Sequence, residues 1–338
     1  MPKAVKLADI AERVGVSIVT VSKALAGKTG VSEEVREKIK EVAEELGYRP
    51  ASIAKFNRIG ATGNIGVLIP KRFLSQNSFY WELYQRIVGS LTSRGYYAIL
   101  ELLEPETEEK LEMPKMILDK KVDGIIALGQ TEDPYIHMLA QSHNVPVMFL
   151  DFYNAGMEID TVISDSFYGM YMLTNHLISM GHRNIGFVGT VLATSSITDR
   201  YFGYCKAMRE NHLEVYPAWC LNDREIGGKP EDTFVNLPER LPTAFACNCD
   251  MIAYMMVGKL QERGLRVPED ISVVGYDNYS HMDPTGIPMT TYDVGMKKMA
   301  ETCVDTLMKK IFAEPYYRGV QIVTGHMVVK DSVRKISE

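Results

Sequence analysis

Residues 8–50 read ADIAERVGVSIVTVSKALAGKTGVSEEVREKIKEVAEELGYRP, and the spacing of their apolar positions lays out three short helices. Leu7, Ile10, Ala11 and Val14 recur at three- and four-residue intervals, which puts them on one face of a helix over KLADIAERV. Gly15 stops that helix. Ser17 stands where an N-cap would open a second helix, IVTVSKALA, with Val21, Ala24 and Leu25 turned inward. Ser32 caps a third, whose first turn gains from Glu33 and Glu34 because its free N–H groups carry partial positive charge. Its stripe is Val35, Ile39, Val42 and Leu46, and Gly47 ends it. Two short helices joined by a glycine-containing turn form a helix-turn-helix. Spacing alone also allows a small three-helix bundle with no nucleic-acid role.

Around this segment the chain runs to 338 residues, too long for one ordinary domain, with 46% apolar and 24% charged residues. No run approaches the ~18–20 apolar residues that span a bilayer. The opening MPKAVKLADIAERVG lacks an apolar core followed by a small-residue cleavage site, so a cytoplasmic location without membrane association is expected. The net charge of −6 hides an asymmetry: residues 1–60 carry 11 Lys and Arg against 8 Asp and Glu, the rest 26 against 35. A mildly basic head on an acidic body suits nucleic acid at one end only. Of the five cysteines, only Cys247 and Cys249 lie close in sequence, and one C-x-C without a second cluster is a poor metal signature. Buried free thiols are expected, with no metal and no cofactor.

From residue 64 onward, short apolar runs alternate with longer amphipathic stretches. The strand candidates are 65–69, 96–103, 122–128, 145–151, 161–165, 184–189, 243–248 and 271–277. The stretch from Gly169 to Met180, ended by Gly181, is one of the helical segments between them. This is the signature of an α/β fold with parallel sheets and crossover helices, a closed eight-stranded barrel being the competing arrangement. Gly60, Gly63 and Gly66 precede a strand instead of following one, so they are not a dinucleotide loop. No catalytic set stands out: there is no G-x-S-x-G elbow, P-loop, H-E-x-x-H helix or EF-hand loop. The 19 methionines read as helix packing.

Residues 8–50 closely resemble the head of the lac/gal repressor (LacI) family. The family's turn appears as Gly15-Val16-Ser17, followed by Thr20-Val21-Ser22 with the basic Lys23, and its ending as Leu46-Gly47-Tyr48-Arg49-Pro50. The resemblance implies that the second helix enters the major groove of a palindromic operator. Ile18, Val19 and Lys23 would then reach base edges while Ser17, Thr20 and Ser22 bond phosphates. Lys23 replaces the family's usual Arg and forfeits its bidentate fork. Ile18 and Val19 can meet only apolar edges such as a thymine methyl. Ala26 stands where the family commonly has Asn, removing one phosphate contact.

The resemblance to this family and to periplasmic sugar-binding proteins continues along nearly the whole chain. It rests on Asn77-Ser78-Phe79-Tyr80, on Asp165 with His176-Leu177 and Gly181-His182-Arg183, and on Arg200-Tyr201-Phe202-Gly203-Tyr204. Asp250, the run from Pro268 to Asp277, and Thr290-Thr291 extend it. It implies a three-helix head (1–48), a hinge or linker (49–63), and two lobes that exchange strands. The first lobe would comprise 64–162 with 290–320 and the second 163–289 with 321–338, crossing near 162, 290 and 321. Ligands in such cores sit in the cleft at the carboxyl ends of the strands. Asp277 and Asp151, just past apolar runs, are therefore candidates, with Arg200 by resemblance and Phe79 and Tyr80 for stacking. Asp165 and Asp250 either cap helices or bind ligand. The family's usual Asn before the Asp250 position is Cys249 here. The expected protein is a homodimeric regulator, a repressor, answering to an uncharged or weakly charged metabolite, a sugar. A sugar receptor would need a leader and no such head, and a sugar-processing enzyme would need a catalytic constellation. The ending VKDSVRKISE carries no leucine heptads, so no tetramer-forming zipper is expected.

The hinge departs from the pattern. After Pro50 the chain reads Ala51-Ser52-Ile53-Ala54-Lys55-Phe56-Asn57. In the family this segment folds on DNA, with Ala at the Ala54 position and a minor-groove leucine wedge where Asn57 stands. A leucine replaces lost base stacking with apolar contact, whereas an amide brings groups that need hydrogen-bond partners. Asn57→Leu is therefore expected to increase both operator bend and affinity in circular-permutation gel shifts. A wild-type bend as large as the variant's would instead make Phe56 or Ile53 the wedge, on a rotated helix.

Overall fold

The structure is a computed structural model that describes residues 5–25, 28–46, 48, 61–74, 78–142, 145–154, 156–225, 237–278 and 285–336. Ala54 and Asn57 lie outside these residues. The chain divides into two compact units, Met1–Gly63 and Asn64–Glu338.

The first unit holds α1 (Leu7–Val14), α2 (Ile18–Leu25) and α3 (Glu33–Glu45). Gly15 ends α1 in the left-handed conformation, φ 79°, which only a residue without Cβ adopts freely. Ser17 opens α2 by accepting the Thr20 amide at 3.1 Å. Ser32 opens α3 by accepting from Val35. Ile10, Val21 and Ile39 are fully buried where the three helices meet. Arg36 on α3 ties the end of α2 down, donating to the carbonyls of Ala24 and Lys28 at 2.8 and 2.9 Å.

The second unit carries two parallel sheets. Its strands are β1 (Asn64–Pro70), β2 (Tyr97–Leu103), β3 (Gly124–Leu128), β4 (Val147–Leu150), β5 (Thr161–Ser164) and β6 (Ile185–Val188). They continue with β7 (Cys220–Leu221), β8 (Ala244–Cys247), β9 (Ser272–Val274), β10 (Thr291–Asp293), β11 (Val320–Val323) and β12 (His326–Val328). The helices between them are α4 (Phe79–Ser93), α5 (Pro105–Glu109), α6 (Lys115–Leu118) and α7 (Asp133–Ala140). Further along come α8 (Ser166–Ser179), α9 (Ser195–Glu210), α10 (Asp250–Glu262) and α11 (Met296–Ile311). The first sheet runs β11-β5-β4-β3-β1-β2 and the second β7-β6-β8-β9, with β10 and β12 as a small antiparallel pair. Two open sheets rule out the closed barrel.

The alternation of apolar strand runs with helices is what builds these layers, because each sheet buries both faces. Leu68, Ile125, Tyr135 and Phe149 pack one side of the first sheet, and Val188, Phe245, Ile252 and Val273 part of the second lobe. All eight strand candidates are strands. The four that were not anticipated are two to four residues long, and β11 is an edge strand with Val320 and Ile322 exposed, so neither length nor alternation marks it.

The chain leaves the first sheet after Ser164, returns after β10 to form α11, and leaves again after Val323. The crossings expected near 162 and 321 thus fall inside β5 and β11, because both strands pair within the first sheet before the chain turns away. β10 lies beside β9 through bridges at Val274–Thr290 and Asp277–Asp293. The tail is pinned to the second lobe: His182, buried, contacts Thr243 Oγ1 and the Arg334 carbonyl through its two ring nitrogens. Cys247 and Cys303 are buried free thiols, whereas Cys205, Cys220 and Cys249 are free and only half-buried.

α8 and α9 press together at Gly203, where an added Cβ would stand 2.2 Å from the Phe167 carbonyl oxygen. At exposed Gly89 in α4 it would meet nothing within 4 Å. Gly203→Ala should therefore destabilise the core by about 1–3 kcal/mol through overpacking. Gly89→Ala should stabilise by up to ~1 kcal/mol through helix propensity. Urea midpoints for the two variants measure both, and shifts of the same sign would contradict the close-packing account.

Candidate functional site

Two surfaces carry the candidate residues, one on each unit. On the head, α2 shows Ser17, Ile18, Val19, Ser22 and Lys23 to solvent, with Thr20 half-buried. Ile18 and Val19 are 52% and 63% exposed. These two branched apolar side chains stand next to each other in solvent at the first turn of the helix that Ser17 caps. Val21 and Ala24 on the opposite face are buried, which fixes the rotation of the helix. Ser17 already spends its Oγ on the Thr20 amide and stands 2.9 Å from Thr20 Oγ1.

On the core, a cleft with a cavity volume of about 150 Å³ lies between the two lobes. Phe79, Tyr80 and Asp151 reach it from the first lobe, Arg200 and Asp277 from the second. Tyr80 and Phe79 sit on the first turn of α4, opened by Ser78, and pack edge to face at 5.3 Å. Phe73 stands 4.9 Å from Tyr80. Asp151 and Asp277 follow the carboxyl ends of β4 and β9, and each adopts positive φ, 72° and 102°. Their amides donate to Val162 and Tyr292 of the neighbouring strands at 2.9 Å, which holds both residues in a backbone region that costs energy.

The charged groups interlock. Arg200, 5% exposed, donates Nη1 to the Asn248 carbonyl at 2.6 Å and Nη2 to Asp277 Oδ1 at 3.1 Å. Its guanidinium lies over the Tyr276 ring at 3.9 Å, and its Nε has no partner among the described residues. The Tyr80 hydroxyl donates to Asp151 Oδ2 at 3.0 Å. Loss of water pushes the Asp277 carboxyl up to about 8, against the pull of Arg200 and with help from the nearby Asp250 and Asp151 charges. Loss of water likewise lifts Asp151 to about 6, opposed by Arg200 and the Tyr80 bond. Burial works against the Arg200 charge, but Asp277, Tyr276 and Asp151 outweigh it, so the guanidinium stays ionised.

Residues 6–51 match the bacterial regulatory proteins of the lacI family, and residues 174–333 the periplasmic binding protein-like domain. The HTH-type transcriptional repressor PurR of Glaesserella parasuis serovar 5 is 30% identical over 339 residues, covering 98% of both chains. The chain belongs to the LacI family. It is a DNA-binding transcriptional repressor with an effector-binding core, not an enzyme. Among solved structures, the lac repressor dimer bound to operator and the anti-inducer ONPF aligns with a TM-score of 0.68 at 24% identity, covering 98% of this chain and 100% of that one. The regulator CelR in complex with cellobiose aligns at 0.67 and 23%, covering 97% and 99%. Among the described residues, no helix is long and apolar enough to cross a membrane.

Two candidates lie outside the cleft lining of this LacI-family core. Asp165 caps α8 by accepting the Tyr168 amide at 3.2 Å. Asp250 is buried beneath the site, its Oδ1 accepting from Thr291 Oγ1 at 2.7 Å. Asp165 stands at the N-cap of α8 and Asp250 in the first turn of α10, and hydrogen bonds within the fold engage both carboxyls. Sequence reasoning missed Lys71, Arg72, Arg224 and Asn248, which also line the cavity. Arg224 follows a strand end as Asp151 and Asp277 do, but that strand is only Cys220–Leu221.

Between the ordinary carboxyl value of 3.8 and about 8, the folded chain keeps a proton on Asp277 that the unfolded chain has released. The contribution of Asp277 to stability therefore falls as pH rises through that window, and that of Asp151 up to about 6, while buried His182, held down at about 4, contributes in the opposite sense up to its ordinary 6.5. Thermal melts of the ligand-free protein between about pH 6.5 and 8 should show the decline, and Asp277→Asn should flatten it. An unchanged slope in the variant would show that Asp277 does not carry the proton.

Proposed function

We propose that this repressor binds a palindromic operator as a homodimer and that a sugar held in the cleft controls its affinity. The observation that carries the reading is the set of two strand-end carboxyls, Asp151 and Asp277, around the guanidinium of Arg200, beside the rings of Phe79 and Tyr80. A sugar hydroxyl donates to a carboxyl oxygen and accepts from a guanidinium at once, and an apolar sugar face packs on a ring. The cellobiose bound by CelR, on the same fold, supports the sugar reading. The lac repressor dimer bound to operator supports a two-headed arrangement.

On the DNA side, Ile18, Val19 and Lys23 read base edges, Ser17, Thr20 and Ser22 bond phosphates, and Ala54 and Asn57 of the hinge reach the minor groove. On the ligand side, Phe79 and Tyr80 stack while Asp151, Arg200 and Asp277 take hydroxyls. Such a regulator works in the cytoplasm.

Gel-shift titration of the full chain tests both halves. Lys23→Ala should weaken the specific operator by about 1–3 kcal/mol while sparing random DNA. Arg200→Ala should leave ligand-free operator affinity unchanged and abolish the response to sugar. Equal loss on both DNAs would make Lys23 a phosphate contact, and loss of operator binding in Arg200→Ala would make Arg200 structural.

A further inference from the structure

We propose that the ligand of this cleft bears an oxyanion, a carboxylate or a phosphate, on its hydroxylated frame, and that Arg224 receives it. The inference rests on the cleft being the sugar site.

Arg224 comes off the end of β7 next to Asp223, which is completely buried. Asp223 Oδ1 accepts the Thr190 amide at 2.8 Å. Its Oδ2 accepts from Arg224 Nε at 2.9 Å, Arg224 Nη2 at 2.6 Å and Asn248 Nδ2 at 3.0 Å. Thr190 Oγ1 locks the same loop, donating to the Arg224 carbonyl at 2.6 Å and accepting the Asp223 and Arg224 amides at 3.1 Å. The guanidinium is thus fixed by one edge. Its remaining nitrogen, Nη1, has no hydrogen-bond partner among the described residues, while the side chain lines the cleft. Burial opposes the Arg224 charge, yet the Asp223 bond prevails and keeps it ionised. A rigid, charged donor edge presented to a water-poor cleft selects an acceptor that is itself charged, because charge-assisted bonds are the strong ones.

The rest of the lining agrees. Arg200 Nε, on the same wall, is buried and has no partner among the described residues. Lys71 joins from the first lobe with its side chain 58% exposed, tied to the less exposed Glu104. Four cations line the cavity; Lys71, Arg72 and Arg224 are paired with Glu104, Glu108 and Asp223 behind the lining and Arg200 with Asp277, which leaves Arg224 Nη1 and Arg200 Nε as guanidinium nitrogens without a partner among the described residues. The ligand therefore has two ends. Its hydroxyls meet Asp151, Arg200 and Asp277, and its acid group meets Arg224.

The test is a thermal-shift comparison of the full chain, Arg224→Gln and Arg224→Lys in sodium phosphate and in sodium chloride of equal ionic strength, followed by titrations with glucose, glucuronate and glucose 6-phosphate. Phosphate should stabilise the wild type above chloride, and Arg224→Gln should lose that difference. Either acidic sugar should bind the wild type at least tenfold more tightly than glucose, with the preference gone in Arg224→Gln. Glucuronate ahead assigns a carboxylate, and glucose 6-phosphate ahead a phosphate. Arg224→Lys keeps the charge beside Asp223 without the open edge, so it should weaken the acids at least fivefold more than it weakens glucose, which decides the matter if the glutamine variant fails to fold. A phosphate effect equal in wild type and variants overturns the inference, as does glucose binding as tightly as the acids. In that last case the sugar reading survives. A phosphate effect confined to wild type, with no carbohydrate bound, upholds the anion site and removes the sugar reading instead.

Discussion

The guanidinium of Arg200 is the group around which the core is arranged. It is nearly sealed from water, between the Asn248 carbonyl, the Asp277 carboxyl and the face of Tyr276. Taking two ions out of water costs several kcal/mol each, and their mutual attraction recovers that only where the remaining hydrogen-bonding groups are met. Here they are not all met: Nε is left over and Asp277 is pushed toward its neutral form. A buried pair so incompletely satisfied is a poor way to stabilise a core. It makes sense as a site held ready, whose open donor and half-titrated acceptor are completed by something else.

How far this was legible in the sequence depends on length and periodicity. The head was legible nearly to the residue, since Gly15, Ser17 and Ser32 punctuate it and Ile10, Val21 and Ile39 fill it. The long strands and helices of the core were legible for the same reason. What escaped was short. β7, β10, β11 and β12 are held by their neighbours in the sheet more than by any pattern of their own, and with β7 went the position of Arg224.

The aspartates show the other limit. Asp151, Asp165, Asp250 and Asp277 all stand where a strand gives way to a turn or helix, and sequence position treats them alike. The backbone separates them. Asp151 and Asp277 take positive φ, which turns the side chain off the line of the strand and toward the cleft. Asp165 has an ordinary negative φ of −78° and caps its helix, while Asp250 already belongs to α10 and bonds Thr291. Left-handed aspartates are uncommon and carry no sequence signature beyond their residue type.

The two lobes are joined at the helix that bears Arg200. Gln130, just past β3 in the first lobe, accepts the Ser195 amide at 2.8 Å through its side-chain oxygen. Tyr153, just past β4, donates its hydroxyl to Asp199 at 2.8 Å. Both partners lie in the first turns of α9, ahead of Arg200. On the first-lobe side, the Gln130 carbonyl accepts from Arg72 at 3.0 Å, and Arg72 lines the cleft. The residue that holds Asp277 in the cleft and both of these fastenings to the first lobe therefore lie on one helix, within two turns of each other, so the geometry of the cleft and the contact between the lobes depend on the same element.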